Sequence, residues 1–176
     1  MQKLKTNFWI ISFGLIFFAV DLSVAGDQMY SDLTEKTCKM TKQAAEGEGD
    51  WVVLRCLGVL GYDLEKEYDD QRESLTLLRG TERHDLNFYD HLVGSFHHLG
   101  EKAEWRLKDG KPVALIVPAI VTQEDKTQMH YLIVVSIRPK HSCVVQVINA
   151  SKEGNANAKA QQSADHAMGL GCLTPS

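Results

Sequence analysis

The sequence predicts an α+β domain: an antiparallel β-sheet, a meander of roughly five to seven strands, with a C-terminal helix packed on one face. Three observations carry this. Residues 103–108 alternate strictly and run into Asp109-Gly110, the strongest short-range hairpin signal. Three further β-rich runs follow, at 113–121, 129–137 and 143–148. The period then changes: Ala156, Ala160, Ala164 and Ala167 fall on one helical stripe, a small-residue face that lets a helix lie close on a sheet.

Residues 1–25 read as a secretory signal peptide. Lys3 and Lys5 precede the apolar run 8–20, and Ser23-Val24-Ala25 supplies small residues for cleavage after Ala25. The uncharged stretch is shorter than the ~18–20 residues a span needs, and Asp21 closes it, so no stable membrane span is expected after cleavage. No cysteine follows the run to accept a lipid. Residues 26–176 form a single exported domain, periplasmic or secreted, with no linker, repeat or low-complexity tract.

Cys38, Cys56, Cys143 and Cys172 all lie in the exported part, where an even count implies two disulfides. Of three connectivities, Cys38–Cys56 with Cys143–Cys172 is favoured, because each closes a local loop beside a predicted strand. Each contributes roughly 3–4 kcal/mol in the chain-entropy model. A zinc site is the alternative, but no two cysteines are spaced C-x-x-C and no histidine stands at finger spacing. The net charge is −4, and about −5 without Lys3, Lys5 and Asp21, which argues against nucleic acid and anionic membrane as partners.

Along the exported chain, residues 26–42 are polar and predict an extended arm or a single helical turn. Residues 43–50, with two glycines and three acids, predict a loop. Trp51–Leu57 predicts a strand ended by Gly58 and Gly61. Residues 62–68 alternate weakly as Tyr62, Leu64, Lys66, Tyr68 with acids between, which predicts a solvated edge strand. After the turn at 69–72, residues 73–79 predict another strand. In 80–100 the spacing Phe88, Leu92, Phe96, Leu99 is helical and predicts a short helix or crossover. Pro112 and Pro118 lack the N–H a ladder requires, so the strand that holds them is expected to be an edge, bulged or bent.

Candidate chemistry is sparse. His84, His91, His97 and His98 share the irregular connector with Asp85 and Asp90, but their spacing matches no ligand pattern such as H-E-x-x-H. Ser95 stands near His97 without the G-x-S-x-G elbow. Glu46/Glu48 and Asp69/Asp70 read as solvated charge, and Asn149-Ala150-Ser151 fits the glycosylation acceptor pattern. No catalytic, cofactor-binding or metal residue is assigned and no cofactor is implied. Tyr62 and Tyr68, on the expected edge strand, are the candidate contact residues.

Trp51-x4-Cys56-x-Gly58-x2-Gly61-Tyr62, Asp70-x-Arg72, and Leu99-Gly100-x3-Glu104-Trp105-Arg106-Leu107-x-Asp109-Gly110-x-Pro112 together resemble a family of small exported alphaproteobacterial proteins of unassigned function. The resemblance spans most of the exported chain and implies a bacterial periplasmic or secreted protein. It supplies no catalytic residue. Gly49-Asp50-Trp51 followed by Cys56 also resembles one short motif of the invasion-associated locus B family, from which no role is carried over. The expectation is a non-enzymatic binding protein with a protein or small-ligand partner in the cell envelope. The alternatives are an inhibitor of an envelope hydrolase acting through the loop 46–50, and a hydrolase or metal-dependent enzyme using the connector 84–98.

Overall fold

A computed structural model describes residues 27–92 and 96–174. The expected signal peptide and Ser95 lie outside the described residues. Eleven strands form one sheet: β1 (Gln28–Asp32), β2 (Lys39–Gln43), β3 (Trp51–Leu57), β4 (Tyr62–Asp69), β5 (Arg72–Arg79), β6 (Glu82–Asp85), β7 (His97–Leu99), β8 (Lys102–Lys108), β9 (Lys111–Thr122), β10 (Gln128–Ser136) and β11 (Cys143–Asn149). One helix, α1 (Ala156–Asp165), follows. The class is as expected, a sheet with a C-terminal helix on one face, but the architecture is not a meander of five to seven strands. The sheet is mixed, because β5 and β7 pair in parallel at Arg72 and His97, and it coils into a half-barrel.

The strand order β1-β8-β9-β7-β5-β4-β3-β2, with β10 and β11 on the far side of β9 and β6 on β5, makes β9 the branch strand. Its twelve residues pair with β10 along one edge and with β8 and β7, end to end, along the other. Pro118 stands where β7 gives way to β8. Its carbonyl accepts the Gly100 N–H at 2.8 Å, so its own nitrogen also points at this break, where no ladder bond is lost. A Cβ on Gly100 would lie 2.9 Å from the Pro118 side chain, which is why the crossing residue is glycine. Near Pro112 the ladder shifts register between Arg106 and Leu107. The proline-bearing strand is therefore bulged as expected, but it is interior rather than an edge.

The two-residue hairpin at Asp109-Gly110 forms with both residues at positive φ, 51° and 70°, as a twist-matched turn requires. Residues 26–42, expected as an arm or helical turn, instead supply β1 and β2. β1 pairs with β8 from Gln28 opposite Arg106 to Asp32 opposite Lys102. Among the described residues of 80–100 the helical spacing yields a three-residue 3-10 turn at Phe88–Asp90, flanked by β6 and β7, and Phe96 is exposed. Phe88, Leu92 and Leu99 are buried all the same, each from a different local structure.

Both faces of β9 and β10 are covered, which explains their nearly continuous apolar runs. The inner face carries the main core, including Leu64, Trp105, Leu115, Val117, Ile133 and Val135. Trp105 is fully buried, and its indole N–H donates to Ser31 Oγ at 2.9 Å. The outer face of β9, β10 and β11 is covered by the alanine stripe of α1, which packs on Ile116, Leu132, Val134 and Ile148. Arg106, its side chain 4 % exposed, joins the layers by donating to both Asp165 carboxylate oxygens at 2.8 and 3.1 Å and to Glu104 at 3.1 Å. Two disulfides, Cys38–Cys56 and Cys143–Cys172, close the chain. Strict alternation along β11 would put Cys143, Val145 and Val147 toward the helix, but a bulge opposite Val134 and Val135 breaks it. Val145 keeps the helix side while Val147 turns to the inner core and Ile148 takes its place.

Candidate functional site

The inner faces of β3, β4 and β5 line up in cross-strand rows. Deep in the half-barrel the row is Cys56, Leu64, Leu77; the next is Leu54, Lys66, Leu75; the outermost is Val52, Tyr68, Glu73. A period of two forces Lys66 and Tyr68 to the same side as Leu64. The inner face thus turns polar toward one end of the half-barrel, and a cavity of about 160 Å³ opens there. Its walls are Val52, Leu54, Lys66, Tyr68 and Glu73, with Glu35 and Asp50 at the rim.

Glu73 organises this end. One carboxylate oxygen meets Lys66 Nζ at 2.9 Å and the other accepts the Leu99 N–H at 2.6 Å. The second bond extends the join between β5 and β7, whose backbones pair only at Arg72 and His97. The Glu73 carbonyl lies 2.9 Å from His97 Nε2. A carbonyl can only accept, so that nitrogen carries the proton.

Tyr89 flanks the same end on the outer side. Its ring lies 5.9 Å from that of buried His97, and the Arg72 guanidinium stacks on it at 5.6 Å. Burial, then the charges of Glu67 and Asp69, push its hydroxyl up to about 12, so it is neutral and cannot act as a base near neutral pH. A shallower groove of about 490 Å³ runs over this end, between Asp70 and Arg72 of the β4–β5 turn, Phe96, and Thr122 and Lys126 of the β9–β10 turn.

The edge-strand placement of Tyr62 and Tyr68 is overturned: β4 lies between β3 and β5. Its acids misled because they face outward into cation partners as well as water. Arg55 meets Asp63 at 2.7 Å, and Arg83 of β6 reaches Glu65, Glu67 at 3.1 Å and Asp85 at 3.4 Å. Tyr62 is held in the structure, its ring 5.9 Å from Trp105 and under the Arg79 guanidinium at 5.2 Å. Tyr68 lines the cavity. Lys66 and Glu73 were not singled out from sequence, although the alternation Tyr62, Leu64, Lys66, Tyr68 already set the lysine on an apolar face.

The connector histidines are dispersed. His84 Nδ1 accepts the Ser142 N–H at 3.3 Å, His97 is buried against Glu73, His98 is exposed, and His91 is half-buried, its pKa pushed down by burial. Among the described residues they enter no three-ligand cluster; the one such group is His141, Cys143 and Cys172. Asn149 of the glycosylation pattern is engaged, its amide donating to Tyr131 Oη at 3.3 Å and its carbonyl accepting the Lys152 N–H at 3.1 Å. No protein-family model, curated protein or solved structure matches the chain.

Proposed function

We propose that this is an exported, non-enzymatic binding protein that takes a small polar ligand of the cell envelope at the open end of its half-barrel. The observation that carries the reading is the inward-facing Lys66–Glu73 pair, both side chains 12 % exposed, in the wall of a cavity. Charges are rarely drawn out of water for stability alone, since desolvation offsets much of their attraction. A concave site with an apolar floor, one aromatic and a few fixed polar groups is the usual form of a ligand pocket.

Export is supported by the two disulfides, which are consistent with an oxidising, extracellular compartment, and by the leader pattern of the first residues. The resemblance to small exported alphaproteobacterial proteins carries the same expectation. Among the described residues no helix is long and apolar enough to cross a membrane.

The test is a thermal-shift screen of amino acids, amines, organic acids and short peptides against the wild type and Tyr68→Ala. A ligand present at 100 times its Kd adds about 2.7 kcal/mol, a shift of several degrees. The expected result is a compound class that raises Tm in the wild type and not in Tyr68→Ala. Stabilisation that persists in the variant would place the ligand elsewhere.

A further inference from the structure

We propose that the Cys143–Cys172 bridge is a redox-addressable metal site, which on two-electron reduction by a dithiol binds a soft divalent ion such as Zn²⁺ through both sulfurs and His141. The inference is independent of the pocket, whose walls stand on β3, β4 and β5 and include none of these three residues.

The two bridges differ in access. Cys38 and Cys56 are both buried, while Cys172 lies exposed on the tail after α1. The Arg138 guanidinium stands 4.0 Å from Cys172 Sγ. His141, in the loop before β11, brings a ring nitrogen within 4.8 Å of both sulfurs. Bonds of ~2.3 Å to sulfur and ~2.0 Å to nitrogen put tetrahedral donors roughly 3.5–3.8 Å apart, so the ring nitrogen stands at most about 1 Å beyond ligand spacing.

What preorganises the reduced site is that the tail has anchors besides the bridge. On one side of Cys172, Arg138 donates to the carbonyls of Ala167, at 3.2 Å, and Leu170. On the other, Leu173 donates its N–H to the Val144 carbonyl at 2.8 Å, beside Cys143 itself. With the S–S bond open, both thiols remain close to each other and to His141.

The exchange balances. A thiolate of the dithiol attacks exposed Cys172 Sγ, the Cys143–Cys172 bond breaks, and Cys143 leaves as thiolate and takes a proton. The second thiol of the reagent then closes its own disulfide and frees Cys172, so two electrons and two protons reach the protein. Metal binding next releases the protons of both thiols, leaving two thiolates and a neutral imidazole on the ion, with the fourth position for water.

The experiment reduces the native, full-length exported protein with dithiothreitol, removes the reagent without air, and maps thiols by alkylation before titrating Zn²⁺ against a chromophoric chelator. The expected result is labelling at Cys143 and Cys172 with Cys38 and Cys56 protected, one Zn²⁺ per reduced chain and none per oxidised chain. His141→Ala should weaken binding roughly tenfold or more, since even an outer-shell partner is worth ~10–100-fold, and His141→Cys should restore it. Equal metal uptake by the oxidised protein, labelling of all four cysteines together, or an affinity untouched by His141→Ala would each overturn the proposal.

Discussion

Glu73 holds Lys66 with one carboxylate oxygen and the Leu99 backbone with the other, so a single side chain both neutralises the cation in the pocket wall and ties β7 to β5. Glu73→Ala should therefore cost more than the ion pair alone. It leaves Lys66 unpaired and the Leu99 N–H without its acceptor, about 3–5 kcal/mol by the general cost of breaking a buried pair. Replacing both partners, Lys66→Met with Glu73→Gln, should recover much of that loss. Urea unfolding of the wild type and both variants decides it: a Glu73→Ala loss below about 1 kcal/mol would mean the pair is effectively solvated.

Trp105→Ala should destabilise by about 3–5 kcal/mol, as for large aromatic truncations in cores. Trp105→Phe separates packing from polarity: it keeps most of the volume but strands the Ser31 hydroxyl, adding roughly 1–3 kcal/mol. Equilibrium denaturation of both variants gives the two contributions.

Removing the Cys143–Cys172 bridge with paired alanines should cost about 3–4 kcal/mol, the loop-entropy value for a separation of 29 residues. α1 should stay docked, because Arg106 still grips Asp165 and the alanine stripe is intact. Amide exchange is the readout. Protection of α1 falling to that of a frayed terminus would show that the bridge alone holds the helix.

Asp32 accepts hydrogen bonds from the Thr34 N–H and hydroxyl and from the Thr37 hydroxyl, which lower its pKa from 3.8 to about 2. A folded-state pKa below the unfolded one gives stability that is complete above about pH 4 and is lost as pH falls toward 2. Thr34→Ala should move the Asp32 titration, followed by carboxyl NMR shifts, back toward 3.8 and reduce this acid-side slope. An unchanged titration would assign the depression to another group.

The β4–β5 hairpin turns through Asp70 and Gln71, both non-glycine residues at positive φ, 47° and 61°. Left-handed backbone costs an ordinary L-residue about 1–2 kcal/mol. Gln71→Gly should accordingly raise the denaturation midpoint without changing the m-value; a lowered midpoint would show that the Gln71 side chain earns its strain elsewhere.

Strands whose register is local were legible in the sequence. The β8–β9 hairpin is written in Asp109-Gly110, and the helix stripe in Ala156, Ala160 and Ala164, with Ala167 following in a 3-10 turn, because each depends on neighbours in the chain. β1 was not legible: its residues show no clear alternation, and it is a strand only because β8, 70 or more residues away, offers it an edge. β4 misread as an edge for a related reason, since nothing near Glu65 or Glu67 in sequence shows that Arg83 will arrive beside them. The pocket falls between these cases. Period two puts Lys66 on one face with Leu64 and Tyr68, but that this face is the inner one, and that Glu73 and the cavity lie beside it, emerges only when β3, β4 and β5 stand in register.

The pairing of β1 with β8 also sets an order of events for a chain made from its N-terminus. Gln28 meets Arg106 only after the whole of β3, β4 and β5 has been synthesised, and those three strands are joined by short hairpins that close without waiting. Early assembly is thus local and fast, while closure of the half-barrel is a late, high-contact-order step. Until then β1 presents an unsatisfied backbone edge and the Ser31 hydroxyl has no Trp105 indole to accept from, so the interval before β8 arrives is when an off-pathway strand has its opportunity.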